Sequence, residues 1–167
     1  MITKQYIVPS LQALDTAYQS AATADDAERF AKLAIIELCG WIEETMDALI
    51  LRCGNRHLKE ISNRNYCEKE IIRKTYGFEY HNNFRFMLIR LVGLISVERI
   101  EKLADPAKSA AMISTLETLK TVRNNVAHTH LKGTTRTLDA PSVTINRFEK
   151  VYDGLLDLDQ KLRSYGL

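Results

Sequence analysis

Residues 27–53 read AERFAKLAIIELCGWIEETMDALILRC, and the reading of this stretch decides the fold. No proline interrupts it. Phe30, Leu33, Ile35, Ile36, Leu38, Trp41, Ile42, Met46 and Leu49 spread around nearly every side of a helix. A helix that is apolar nearly all round belongs at the centre of a bundle. Asp25 and Asp26 offer caps at its start, and Gly54 offers a stop. Glu37 falls between Leu33 and Trp41 on the most apolar side. A carboxylate buried there needs a partner, and Arg123 is one candidate beside a purely structural arginine or tyrosine.

Outward from this helix the chain stays helical. Pro9 fits the first turn of an opening helix that runs to about Ser20. Residues 55–77, NRHLKEISNRNYCEKEIIRKTYG, are polar and basic, and within them Ser62 or Asn63 offers a cap for a shorter helix that stops at Gly77. Its cations Arg56, Lys59, Arg64, Lys69, Arg73 and Lys74 can line a path for RNA phosphates. The weightier reading is a solvated face balanced by Glu60, Glu68 and Glu70. After FEYHNN, a fourth helix spans Phe84 to Leu103, with apolar residues on more than one face for both core and subunit contact. Asp105 and Pro106 start a fifth helix, LKGTTRTLDAPS (131–142) is a loop, and a last helix runs from Val143 to about Tyr165. The expected architecture is a single-domain, all-α bundle of about five to six helices.

Composition agrees with one soluble globular domain. The 167 residues suffice for a real core, and 46% are hydrophobic against 26% charged. A net charge of +2 neither demands nor excludes a nucleic-acid partner. Cys39, Cys53 and Cys67 are an odd number without a CxxC pair, so buried free thiols in a reducing cytoplasm are expected. MITKQYIVPS lacks an apolar core of signal-peptide length. The most apolar run, FRFMLIRLVGLISV, is too short for a bilayer and carries Arg85 and Arg90, so no membrane association is expected.

Chemistry concentrates in residues 116–130, LETLKTVRNNVAHTH. Met112, Leu116, Leu119, Val122 and Val126 recur at helical spacing, and Arg123 lies within that apolar seam. A guanidinium keeps its charge, so the seam must pair it or open onto a cleft. Two asparagines and two histidines, His128 and His130, follow. Their spacing meets no zinc pattern, and no phosphate-binding glycine loop or serine elbow exists, so no metal or cofactor is expected.

An arginine with a histidine suffices to cut RNA without a metal. The substrate's 2′-hydroxyl is the nucleophile, and histidine takes its proton or protonates the departing 5′ oxygen. Arginine neutralises charge growing on the phosphorane. DNA lacks the 2′-hydroxyl and should be inert.

Arg-Asn-Asn-Val-Ala-His near the end of a late helix resembles the arginine–histidine signature of the HEPN superfamily, in which the histidine follows after four to six positions. The long helix FAKLAIIELCGWIEETMDALI is also similar in character to HEPN domains of the RiboL-PSP kind. The resemblance implies that Arg123 and His128 are catalytic and that Asn124 is their supporting polar residue. It further implies a homodimeric, metal-independent endoribonuclease of toxin or phage-defence type, with two motifs meeting in an interface cleft. An antitoxin or defence-system protein would be its partner. A non-catalytic module for protein interaction or RNA binding is the alternative use of such a fold. His130, Asn125 and Lys132 are the expected substrate contacts.

Geometry leaves the acting histidine open. On a straight helix Arg123 and His128 are offset by about 140°. Asn124 lies one turn from His128, whereas His130 points more nearly the way of Arg123. His128 is preferred on the RNNVAH string, with His130 second. His57 and His81 read as surface or loop histidines, with substrate contact the alternative for His81, which stands beside Tyr80 and near Arg85. The aromatics of FEYHNNFRF read as packing residues rather than base-stacking platforms.

Overall fold

The computed structural model describes residues 2–127 and 138–167, and among these the fold is all-α. Seven α-helices follow in order: α1 (Ile7–Gln19), α2 (Ala24–His57), α3 (Ile61–Tyr66), α4 (Arg85–Val92), α5 (Leu94–Leu103), α6 (Pro106–Ala127) and α7 (Pro141–Ser164). Two π-helical turns extend this set, Cys67–Ile72 continuing α3 and Tyr80–Phe84 leading into α4. The expected count of five to six is exceeded because the predicted Phe84–Leu103 helix is two. Gly93 separates α4 from α5 with φ of 84°, a conformation in which a side chain would be strained.

The long helix is central, as its composition requires. It packs against α1, α4, α6, α7 and the Cys67–Ile72 turn. Ala31, Ala34, Ile35, Leu38, Ile42, Met46, Leu49 and Ile50 are buried along it. Each large apolar side chain removed from water in this way contributes about 1.5–3 kcal/mol. Leu33, Ile36 and Glu37 are exposed, so the side carrying Glu37 faces solvent rather than the core. Glu37 therefore needs no buried partner.

The caps also differ from expectation. Thr23, not Asp25 or Asp26, caps α2: its Oγ1 accepts from the Asp26 amide at 3.1 Å and donates to the Asp26 carboxylate at 2.8 Å. The helix runs past Gly54 to His57, where Leu58 N still donates to Gly54 O. Helix α1 begins at Ile7, with Pro9 still in its first turn, and α3 begins at Ile61 after Glu60 rather than at Ser62 or Asn63. At the start of α6, Asp105 Oδ1 accepts from Ala107 N and Lys108 N at 2.9 and 3.0 Å. Those backbone hydrogen bonds, led by that from Lys108, hold its carboxyl below the usual range. Asp157 of α7 accepts from Asp105 N at 2.8 Å, which ties the root of α6 to the last helix.

The basic stretch after α2 is a balanced, solvated face. Arg73 pairs with Glu68, Lys74 with Glu70 at 2.7 Å, and Arg64 donates to Leu58 O. The three cysteines are buried and free. Among the described residues, no helix is long and apolar enough to cross a membrane.

Candidate functional site

Helix α6 buries Met112, Leu116, Leu119 and Val126, and that seam carries Arg123 to the edge of α2. There the guanidinium faces Glu43 of α2, and Asp47, one turn further along α2, lines the same cleft. Thr75, Tyr76 and Gly77 complete the walls of a cleft of about 200 Å³. The arginine in an apolar seam thus does both things the chemistry required: it pairs, and it opens onto a cleft.

The pairing is loose. Arg123 Nη2 lies 3.5 Å from Glu43 Oε1, beyond a good charge-assisted hydrogen bond, with both side chains partly exposed. Glu43 Oε1 is itself shut off from water and accepts no hydrogen bond. The partner is Glu43, not Glu37. The α2 register puts Glu43 one turn beyond the buried Cys39, on the side that meets α6.

Electrostatics in the cleft are contested between one cation and two acids. Burial pushes the Asp47 carboxyl up to about 6, and the neighbouring charges of Glu43 and Glu44 push the same way. Behind the cleft, burial raises the Cys39 thiol to about 12, while Arg123 pulls it down and Glu43 pushes it up. Cys39 is therefore a protonated core thiol, not a nucleophile. Beside the cleft Lys120 of α6 reaches Glu79 at 2.8 Å and fastens the 75–79 loop to the same helix.

Of the expected site residues, Arg123, Asn124 and Asn125 lie together on the last turns of α6, with both asparagines exposed. His128, His130 and Lys132 lie outside the described residues. Glu43, Asp47 and Tyr76 were not among the expected residues. An acidic i,i+4 pair opposite a seam arginine was the available signal for the first two. Tyr80 and Phe84 are buried, and the Tyr80 hydroxyl donates to Glu101 at 2.9 Å. Arg85 holds the same carboxylate at 2.7 Å, and Phe78, Tyr80 and Phe84 serve packing as expected, whereas Phe86 is 49% exposed. Among the described residues, no three His, Cys, Asp or Glu side chains are grouped to hold a metal.

A larger cleft, about 380 Å³, lies between the N-terminal segment and α2, lined by Ile2, Tyr6, Trp41 and Arg52 among others. It holds Glu44 and Arg52 but not Arg123, the cation of the α6 seam, and the smaller cleft therefore has the stronger chemical claim. No family model, curated protein or solved structure matches the chain.

Proposed function

We propose that the chain is a metal-independent endoribonuclease of toxin or phage-defence type, as its HEPN-like motif implies, with the Arg123 cleft as one wall of the active site. The observation that carries this reading is the partly exposed guanidinium, held in a cleft by one long ion pair and followed within a few residues by histidines. In the reaction the substrate's 2′-oxygen attacks phosphorus and the P–O5′ bond breaks. The 2′-hydroxyl proton leaves to a base and the 5′ oxygen gains one from an acid, leaving a 2′,3′-cyclic phosphate and a 5′-hydroxyl. Arg123 neutralises charge on the phosphorane, and His128, or His130, moves a proton. Asn124 orients the histidine. A second copy, bringing its own Arg123 and His128, completes the groove, and an antitoxin or defence-system protein restrains it.

The test is incubation of single-stranded RNA with the protein in EDTA, followed by end-group analysis. Cleavage to cyclic phosphate ends, lost in Arg123→Ala and in His128→Ala while melting is unchanged, supports the reading. Intact RNA at high protein concentration overturns it.

One observation favours a second reading, a non-catalytic interaction or RNA-binding module. Glu43 already occupies part of the Arg123 charge, and Glu43 and Asp47 repel phosphate, which favours the protein-interaction form of this reading over either use of RNA. Binding without cleavage is the outcome that would establish it.

A further inference from the structure

The cleft has a rim feature that folding does not explain. Tyr76 lines it and is 86% exposed, the most solvated large hydrophobic side chain among the described residues. Solvating a phenol ring does nothing for the core, yet its backbone is firmly held. Asn83 Nδ2 donates to Tyr76 O at 3.0 Å, while Asn83 Oδ1 accepts from Glu79 N at 2.9 Å, so one side chain clamps both ends of the turn. Thr75 Oγ1 donates to Ile71 O at 2.7 Å on the other flank. Gly77 follows with φ of 108°, and a Cβ there would sit 3.3 Å from Asn83 Oδ1, so the turn's course depends on this glycine. The backbone that carries Tyr76 is thus held by its own hydrogen bonds, at the rim of the cleft that Arg123 also lines.

From this geometry we infer that Tyr76 is a substrate-binding residue, a platform on which an unpaired nucleotide base stacks while its phosphate meets Arg123. The inference rests on the ribonuclease reading of the same cleft and names its substrate class, single-stranded RNA. Size supports the division of labour. About 200 Å³ is below the roughly 300–1,000 Å³ of pockets that enclose a whole small ligand. The cleft takes a phosphate, and the base lies across the rim. Charge sets a demand on the site: with Glu43 and Asp47 opposing the phosphate, attraction by one arginine is weak, so affinity has to come from stacking on a π-face, which carboxylates do not oppose. Every base has such a face, so Tyr76 confers a preference for unpaired over paired RNA with little sequence selectivity.

The experiment measures binding apart from cleavage. A fluorescent oligouridine of about eight nucleotides, 2′-O-methylated so that it has no nucleophile, is titrated with the full chain. An abasic oligomer of the same length is titrated in parallel. Wild type should bind the base-bearing oligomer more tightly. Tyr76→Ala should weaken it by roughly 5- to 150-fold, to the level of the abasic oligomer. Tyr76→Phe, which keeps the ring, should retain binding, and all three proteins should melt alike because the side chain is solvated. Equal affinity of Tyr76→Ala and wild type, equal affinity for the two oligomers, or no binding overturns the inference. Cleavage of unmodified RNA in EDTA is scored separately. Tyr76-dependent binding without cleavage sinks the nuclease reading and upholds the platform, whereas cleavage with Tyr76-independent binding does the reverse.

Discussion

Glu43 Oε1 faces Arg123 Nη2 at 3.5 Å across the junction of α2 and α6, close enough to attract and too far to bind well. Partly exposed pairs of this kind contribute about 0–1 kcal/mol. Glu43→Gln should therefore change stability by less than about 1 kcal/mol, while removing the carboxylate that, on the proposed ribonuclease reading, competes with phosphate for Arg123. RNA affinity should rise several-fold, read by fluorescence anisotropy beside a melting curve. Weaker binding would show that Glu43 aims the guanidinium rather than competing for it.

Asp47 sets a pH dependence on the same cleft. It ionises near 3.8 in the unfolded chain and near about 6 in the fold, chiefly through burial and then through Glu43 and Glu44. Between those values the folded protein holds a proton that the unfolded chain has released. The contribution of Asp47 is thus most favourable below about pH 4 and is lost as pH rises through about 6. Asp47→Asn removes the half-buried charge. It should raise the melting temperature at pH 8, by about 1 kcal/mol or a few degrees once solvent screening is allowed for, and the gain should fade toward pH 4. A gain that is the same at pH 4 and pH 8 would contradict this origin.

The legible parts of the molecule were those with a repeating physical signal. Helix α2 declared itself through apolar residues on every side, and Arg123 through its place in the seam of Leu116, Leu119 and Val126. The same all-round apolarity hid which side of α2 faces inward, so Glu37 looked buried and Glu43 was passed over. Gly93 was absorbed into an apolar run because LVGLIS keeps helical spacing on both sides of the break, and only its positive φ separates α4 from α5. Tyr76 carries no periodicity at all. It stands one residue before a turn glycine, and its place beside Arg123 arises from the contact of that loop with α6.

Asp159 gives a test of the core. It is 1% exposed and accepts from Arg52 of α2 and, at 3.1 Å, from Arg163 of its own helix, both of which remain partly exposed. The buried member is the carboxylate, so the two ways of breaking the triad are unequal. Replacing both arginines by alanine strands a buried charge and should destabilise by about 3–5 kcal/mol. Asp159→Ala leaves two cations able to swing into water and should be the milder change. Urea unfolding of the two variants checks the ordering, and the reverse ordering would mean that the arginines are the groups trapped by the fold.

Gly154 lets α6 and α7 approach, and that contact also sets where α6 carries Arg123. A Cβ at Gly154 would lie 2.5 Å from Met112 Cβ and 2.8 Å from its Sδ, both far inside contact distance. Met112 is fully buried, so the added methyl has nowhere to go without separating the helices. Gly154→Ala should destabilise by about 1–3 kcal/mol, measured by urea unfolding. Shortening the neighbour distinguishes backbone separation from side-chain crowding. Because the nearest atom is Met112 Cβ, which alanine keeps, Met112→Ala should not rescue Gly154→Ala and should add a cavity loss of its own. Arg123 lies three turns further along α6, about 16 Å from Met112. Forcing the helices apart at Gly154 should therefore shift the guanidinium relative to Glu43 and lower RNA binding in protein that remains folded. Full rescue by Met112→Ala, or unchanged RNA binding in Gly154→Ala, would show that side-chain movement absorbs the clash and α6 stays in place.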